Sequence, residues 1–196
     1  MTHAVLSAVG ISGSPSIRSK SRVLLGHALE SLRERGAQVQ LIDLNELPAD
    51  ALLGRRTAPD VERALVAVNA ADIVVASTPV YRATYSGLLK VFFDLFAQRA
   101  LTDKVAIAIA TGGAAGHQLV LDHGLRPLFS SVGATVVPTG VYAVDAEFTA
   151  GAPNHDVLDR IERAVRESLA FAETNQRQPR PAPLSIATTL HAETSP

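Results

Sequence analysis

The chain has no cysteine and no tryptophan, and only one methionine. Without thiols there is no disulfide framework, no thiolate nucleophile and no ligand set for an iron–sulfur cluster. An excess of either charge is missing too, 18 Lys and Arg standing against 19 Asp and Glu for a formal net charge of −1. General nucleic-acid binders need a basic face, and acidic electron carriers dock by charge steering, so both classes fit poorly. No apolar run approaches the length of a bilayer span, and no basic stretch feeds an apolar one at the N-terminus. The expectation is a cytoplasmic protein that binds neither membrane nor nucleic acid. Several short signatures are also absent. The P-loop pattern and the G-x-S-x-G elbow do not occur, and "GISGSP" spaces Gly10 and Gly13 wrongly for a dinucleotide fingerprint. The six histidines are scattered without metal-like spacing, so no metal is expected.

What is present suits one globular domain. Of 196 residues 47% are hydrophobic and 19% charged, enough to bury a sizeable core. Strand-like and helix-like stretches alternate. "AVLSAVGIS" (4–12), "DIVVAST" (72–78) and "KVAIAIAT" (104–111) are apolar, as strands buried on both faces require, while "QVQLIDL" (38–44) alternates. "TVVPTGVYAV" (135–144) is a fifth strand whose Pro138 marks an edge or a bulge. Between them, Leu25, Ala28, Leu29 and Leu32 take helical spacing before Gly36, a left-handed helix end. Val61, Ala64, Leu65 and Val68 mark a helix preceded by a possible Thr57–Asp60 capping box. "SGLLKVFFDLF" (86–96) reads as a helix apolar nearly all round, with Lys90 and Asp94 as a modest i, i+4 pair. "HQLVLDHGLRPLFSSV" (117–132) is a helix interrupted at Gly124 and Pro127. The last helix runs from about Asp156 to Glu173, with His155–Asp156 as its expected cap. Five strands alternating with helices predict a parallel α/β sheet covered on both faces. Residues 1–174 read as the domain, and 175–196, with Pro179, Pro181 and Pro183, as a tail whose "LSIATTL" could dock on a neighbouring subunit.

In such sheets ligands bind beyond the carboxyl ends of the strands. Three loops leave those ends with unusual composition: "SGSPSIRSKS", "TPVYRATYSG" and "TGGAAGH". The first opens a helix, whose free N–H groups and positive dipole end favour an anion. Ser14, Ser16, Ser19 and Ser21 add hydroxyl donors, and Arg18, Lys20 and Arg22 add charge, which together suit a phosphate monoester. A single capping serine with solvated neighbours is the plainer alternative. The second loop carries Pro79, Val80, Tyr81, Tyr85, Ser86 and Gly87, fit for a flat heteroaromatic ring, though two tyrosines also cover a sheet edge well. In the third, Gly112 and Gly113 after Thr111 allow close backbone approach, as an ordinary turn would also require.

Taken together, "GSPSIRSKSRVLL", "TPVYRATYSGLLKVFFDLF" and "ATGGAAGHQLVLDHGLRP" resemble the NAD(P)H-dependent FMN reductase family over residues 4–172. The nearest likeness is to the reductases of two-component alkanesulfonate monooxygenase systems. The resemblance implies a flavodoxin-like three-layer fold with strand order 2-1-3-4-5. It implies FMN phosphate held by Ser14, Arg18, Ser19 and Ser21. Pro79, Val80 and Tyr81 would surround the ribityl chain and ring, and Thr111, Gly112 and Gly113 the ring edge. Hydride would pass from NADPH or NADH to the flavin, so no acid–base dyad is needed and none is found. Gly112, Gly113 and His117 would border the space above the ring. A homodimer or homotetramer, and a flavin-dependent monooxygenase as partner, are further implications. A quinone or azo reductase with fixed FMN and a flavodoxin-like electron carrier are the rival readings.

Pro127 deprives the His123 carbonyl of its helical donor, and Gly124 weakens the helix further. Local sequence alone predicts a kink. Sulfonate-system reductases, however, carry an extra Tyr or His at the place matching His123, in a π-bulge associated with flavin that leaves. The resemblance therefore predicts a π-bulge at His123, near a subunit interface.

Overall fold

The computed structural model describes residues 5–176. Its strands and helices are β1 (Ser7–Ser12), α1 (Lys20–Glu34), β2 (Gln38–Asp43), α2 (Ala49–Leu52), α3 (Pro59–Ala70) and β3 (Ile73–Pro79). Then come α4 (Gly87–Phe93), β4 (Val105–Gly112), α5 (Arg126–Ser131), β5 (Thr135–Val136) and β6 (Val141–Val144). A hairpin of β7 (Phe148–Thr149) and β8 (Ala152–Pro153) precedes α6 (His155–Gln176). The sheet is parallel in the order β2-β1-β3-β4, with β5 and β6 both pairing with β4 as its fifth position. This is the flavodoxin-like order that the resemblance implies.

Residue size explains how the two faces are covered. β4 alternates Val105, Ile107 and Ile109 with Ala106, Ala108 and Ala110, and successive side chains point to opposite faces. The large residues meet α1 and α6 in a core with Leu25, Ala28, Leu32, Ile161 and Val165. The alanines leave room on the other face for Phe92, Phe93 and Phe129, which pack ring edge to ring face. Gly36 ends α1 at φ 86°, and Gly36 and Ala37 donate to the Arg33 and Leu32 carbonyls, the paired bonds of a left-handed helix stop.

Pro138 does both things expected of it. Thr135 stands opposite Val105 but Val141 opposite Ile109, so the edge strand gains two residues over its partner. Arg126 fills the gap, donating to the carbonyls of Val137 (3.0 Å) and Pro138 (2.6 Å).

Four local expectations change. The Thr57–Asp60 box does not form: Ala58 caps α3 without a side-chain bond, Pro59 opens the helix, and Asp60 pairs with Arg63. α6 is capped by Asn154, whose Oδ1 accepts from Val157 N at 3.1 Å, while His155 turns to Asp159. α4 stops at Phe93, although Leu88, Val91, Leu95 and Phe96 still pack on the core; Lys90 and Asp94 pair as expected. The single interrupted helix of 117–132 is three pieces: a 3₁₀ turn (Ala115–Leu119), a π turn (Leu121–Leu125) and α5. No described helix is long and apolar enough to cross a membrane. Most of the expected tail, from residue 177 with its "LSIATTL", lies outside the described residues.

Candidate functional site

The register aligns three strand ends. Ser12 faces Ser77, and Pro79 faces Thr111, so the loops after β1, β3 and β4 leave the same edge of the sheet side by side. Backbone bonds lock them together: Gly13 N donates to Ser77 O (2.8 Å) and Val80 N to Thr111 O (2.7 Å). Ser86 is the pin between two of them. Its hydroxyl donates to the Gly13 carbonyl and accepts from Leu89 N, capping α4, while its own N–H donates to Thr78 Oγ1. Gly13 must be small here, because a Cβ would lie 2.9 Å from Leu89 Cβ.

Around the start of α1, Ser14, Ser19 and Ser21 are buried. Ser19 occupies the cap position but its side chain does not cap; its hydroxyl instead bonds Ser21 Oγ at 2.8 Å. The first turn of α1 carries no acid. The helix therefore opens onto the loop with its N–H groups uncapped by any side chain. Ser14 Oγ accepts from Ser16 N (3.1 Å), closing the loop tightly. Ser12, which the sequence reading overlooked, is buried with an Oγ that finds no partner among the described residues. It shares the sheet face of Gly10, whose missing Cβ makes room for Leu25 and Leu29 of α1. A strand-end serine beside a glycine was the only sequence signal for it.

The cations sort differently from expectation. Lys20 is paired with Asp145 (2.8 Å) and sits 5.1 Å from the Phe148 ring centroid, and Arg22 is paired with Asp43 (3.1 Å). Both help to hold the loop rather than standing free in it. Arg18 is exposed and makes no ion pair among the described residues.

In the second loop Pro79 and Val80 are half-buried and Tyr81 is 48% exposed. Tyr81 and Thr84 exchange backbone hydrogen bonds (2.9 and 3.2 Å) across Arg82 and Ala83, at φ 50° and 67°. That is a two-residue hairpin with both central residues left-handed, a geometry usually given to Asn-Gly. Two non-glycine residues held there are strained, and such strain gathers where a site demands a fixed loop.

The third loop follows Thr111, which is buried, with Gly112 half-buried and Gly113 exposed. A Cβ on Gly113 would meet nothing within 4 Å, whereas one on Gly112 would lie 2.5 Å from the Tyr142 hydroxyl. The π turn packs beside this cluster. Arg126 N reaches back five residues to the Leu121 carbonyl, so the backbone re-pairs before Pro127. His123 points out exposed, while Gly124 is buried where a Cβ would stand 3.2 Å from Thr84 Oγ1 and Tyr85 Cδ1. The expected π-bulge at His123 is therefore present and abuts the second loop. Among the described residues no group of histidines and carboxylates could hold a metal ion.

A parallel sheet in this order, with three loops converging beyond the carboxyl ends of its strands, defines a flavodoxin-like fold, and in open sheets of this kind ligands bind at that edge. The chain belongs to the NADPH-dependent FMN reductase family, whose model matches residues 6–149 and so spans all three loops. An FMN reductase (NADPH) of Pseudomonas putida is 37% identical over 177 residues, covering 88% of this chain and 90% of that one. An NADH-dependent FMN reductase, SfnF, of Pseudomonas fluorescens is 42% identical over 147 residues, covering 73% and 79%. The apo crystal structure of an NADH:FMN oxidoreductase, EMOB, superposes with a TM-score of 0.78 at 36% identity, covering 87% and 90%. A flavodoxin of Streptococcus pneumoniae, at 17% identity and a TM-score of 0.55, shares the fold alone. Family membership makes this chain an oxidoreductase, an FMN reductase that uses a nicotinamide nucleotide.

Proposed function

We propose that the chain reduces FMN with NADPH or NADH and releases the reduced flavin to a partner flavin-dependent monooxygenase. The observation that carries the site assignment is the uncapped first turn of α1 ringed by buried serine hydroxyls. Ser14, Ser19 and Ser21 hold the FMN phosphate together with the first-turn N–H groups, and Arg18 supplies the free positive charge. Ser12 Oγ, buried and without a partner among the described residues, fits as a further donor at the same place. Pro79, Val80 and Tyr81 flank the ribityl chain and ring, and Thr111, Gly112 and Gly113 line the ring edge. Bound FMN supplies the redox chemistry, accepting hydride from the nicotinamide, so the protein's residues need only bind, orient and leave one ring face open. The open space over Gly113 suits that last requirement.

The π turn at His123 supports release over retention, given the likeness to reductases that treat FMN as a substrate. The test is steady-state oxidation of NADPH and of NADH by purified protein. Activity should rise and saturate with added free FMN. Full turnover with a quinone alone, on protein that holds its flavin and ignores added FMN, would overturn the reading.

We also propose a homodimer or homotetramer. Leu88 and Val91 on α4 are only half-covered, and Leu119, ahead of the π turn, is 56% exposed. Light scattering at micromolar concentration should give a multiple of the chain mass. A stable monomer would sink this proposal.

A further inference from the structure

We infer that Tyr142 is the positioning residue for the ring end of the flavin site, and that its hydroxyl is the reason residue 112 is glycine. Tyr142 lies on β6, opposite Ala110 of β4, and is almost fully buried. Its hydroxyl donates to the Ala114 carbonyl at 2.6 Å, which also accepts from His117 N at 3.1 Å. Among the described residues, Tyr142 is the one side chain from elsewhere that hydrogen-bonds to the segment 113–118. That segment contains Gly113 and Gly116, both with open space where a Cβ would be, so its own packing does little to fix it. The hydroxyl therefore supplies a tether that the loop lacks in itself.

The same oxygen occupies the volume that a side chain at 112 would need. A Cβ there would lie 2.5 Å from Tyr142 Oη, but 3.5 Å from Cζ and 3.4 Å from Val80 Cβ. Only the oxygen forbids it; the rest are ordinary contacts. Tyr142 is itself braced from behind. Arg160 of α6 donates to the Tyr142 carbonyl at 2.6 Å and pairs with Glu147, whose other carboxylate oxygen accepts from Val144 N at 2.8 Å. Burial, together with the nearby Asp145 and Glu147 charges, pushes the phenol pKa up, so the hydroxyl remains a donor through the neutral range. The contact thus runs from a rigid helix, through one phenol, to the loop at the ring edge. The inference rests on the assignment of that loop to the ring end.

The experiment is a double-mutant cycle on Gly112→Ala and Tyr142→Phe, read by kcat/KM for NADPH, FMN Kd from flavin fluorescence, and melting temperature. Tyr142→Phe alone should lower kcat/KM for the nicotinamide about tenfold while FMN Kd moves less than about threefold, because the phosphate is held by another loop. Gly112→Ala alone should weaken both. The double variant should outperform the product of the single effects by about tenfold, since removing the oxygen restores room for the methyl group. Independent, multiplicative effects would overturn the inference, as would a Tyr142→Phe protein with wild-type kcat/KM. Coupling confined to melting temperature would overturn the positioning role while leaving the contact and the phosphate end of the site intact. If Gly112→Ala fails to fold alone, a folded and active double variant supports the inference, and an unfolded one refutes it.

Discussion

Ser21→Ala is expected to weaken FMN binding by about ten- to a hundredfold and to leave riboflavin binding within about twofold of wild type. Ser21 is wholly buried at the second residue of α1, and among the described residues its only side-chain partner is Ser19 Oγ at 2.8 Å. Two hydroxyls that bond each other have donor capacity to spare for a third group. A phosphate seated on the open first turn of α1 is the acceptor that would use it. Losing a donor to a charged acceptor costs about 1.5–3 kcal/mol when the site is desolvated. Riboflavin has the ring and ribityl chain without the phosphate, so it isolates the charge-dependent part. The substitution removes little packing volume but takes the partner from the buried Ser19 hydroxyl, so a stability loss of about 1 kcal/mol, or about 2–4 °C in melting temperature, should accompany it without distinguishing the two flavins. Equal losses for FMN and riboflavin would mean that the loop shapes the pocket without binding phosphate. Arg18→Ala should add a smaller loss of the same selectivity, one that fades with salt, because Arg18 is exposed.

The contrast between this loop and its neighbours shows what the sequence made legible. A parallel sheet covered on both faces and the convergence of three loops were readable, because buried parallel strands write long apolar runs and their carboxyl ends break into Gly, Ser and Pro, whereas the strand order came only from the family resemblance. Arg22 and Lys20 were misplaced because their partners, Asp43 and Asp145, are remote in sequence. Local composition showed three cations and could not show that two were already paired. Tyr142 was invisible for a related reason. A tyrosine in an apolar strand reads as core, and only the fold brings its hydroxyl to Ala114, across from Gly112. The β7–β8 hairpin is built on strands of two residues, too short for any periodic signal. Pro138 announced a disturbance, but not that Arg126 would satisfy the carbonyls that the disturbance releases.

Deleting His123 should convert the chain from a protein that purifies with little flavin into one that retains it and no longer hands it on. The buried residues on either side of the π turn give the geometric reason why deletion is tolerated. Val120 and Leu125 are both buried and stand five positions apart. At about 100° per residue an α-helix would turn them about 140° away from each other, so both reach the core only because one wide turn absorbs the extra residue. Removing His123 brings them to four apart, the ordinary spacing of one helix face, and α5 with Phe129 keeps its seat. Since His123 is exposed, no buried side chain is lost. What should change is the path of the backbone around Gly124, a residue packed so close to the second loop that a Cβ there would stand 3.2 Å from Thr84 Oγ1 and Tyr85 Cδ1. A regular helix there alters the wall of the proposed flavin site while leaving the phosphate loop untouched. The expected product is a yellow protein whose flavin is reduced by NADPH but does not exchange with added FMN. His123→Ala, which keeps the backbone length, separates the two possible agents: behaviour like wild type assigns the effect to the turn, and behaviour like the deletion assigns it to the imidazole. A deletion variant that purifies colourless and reduces free FMN at the wild-type rate would show that the π turn has no part in flavin release.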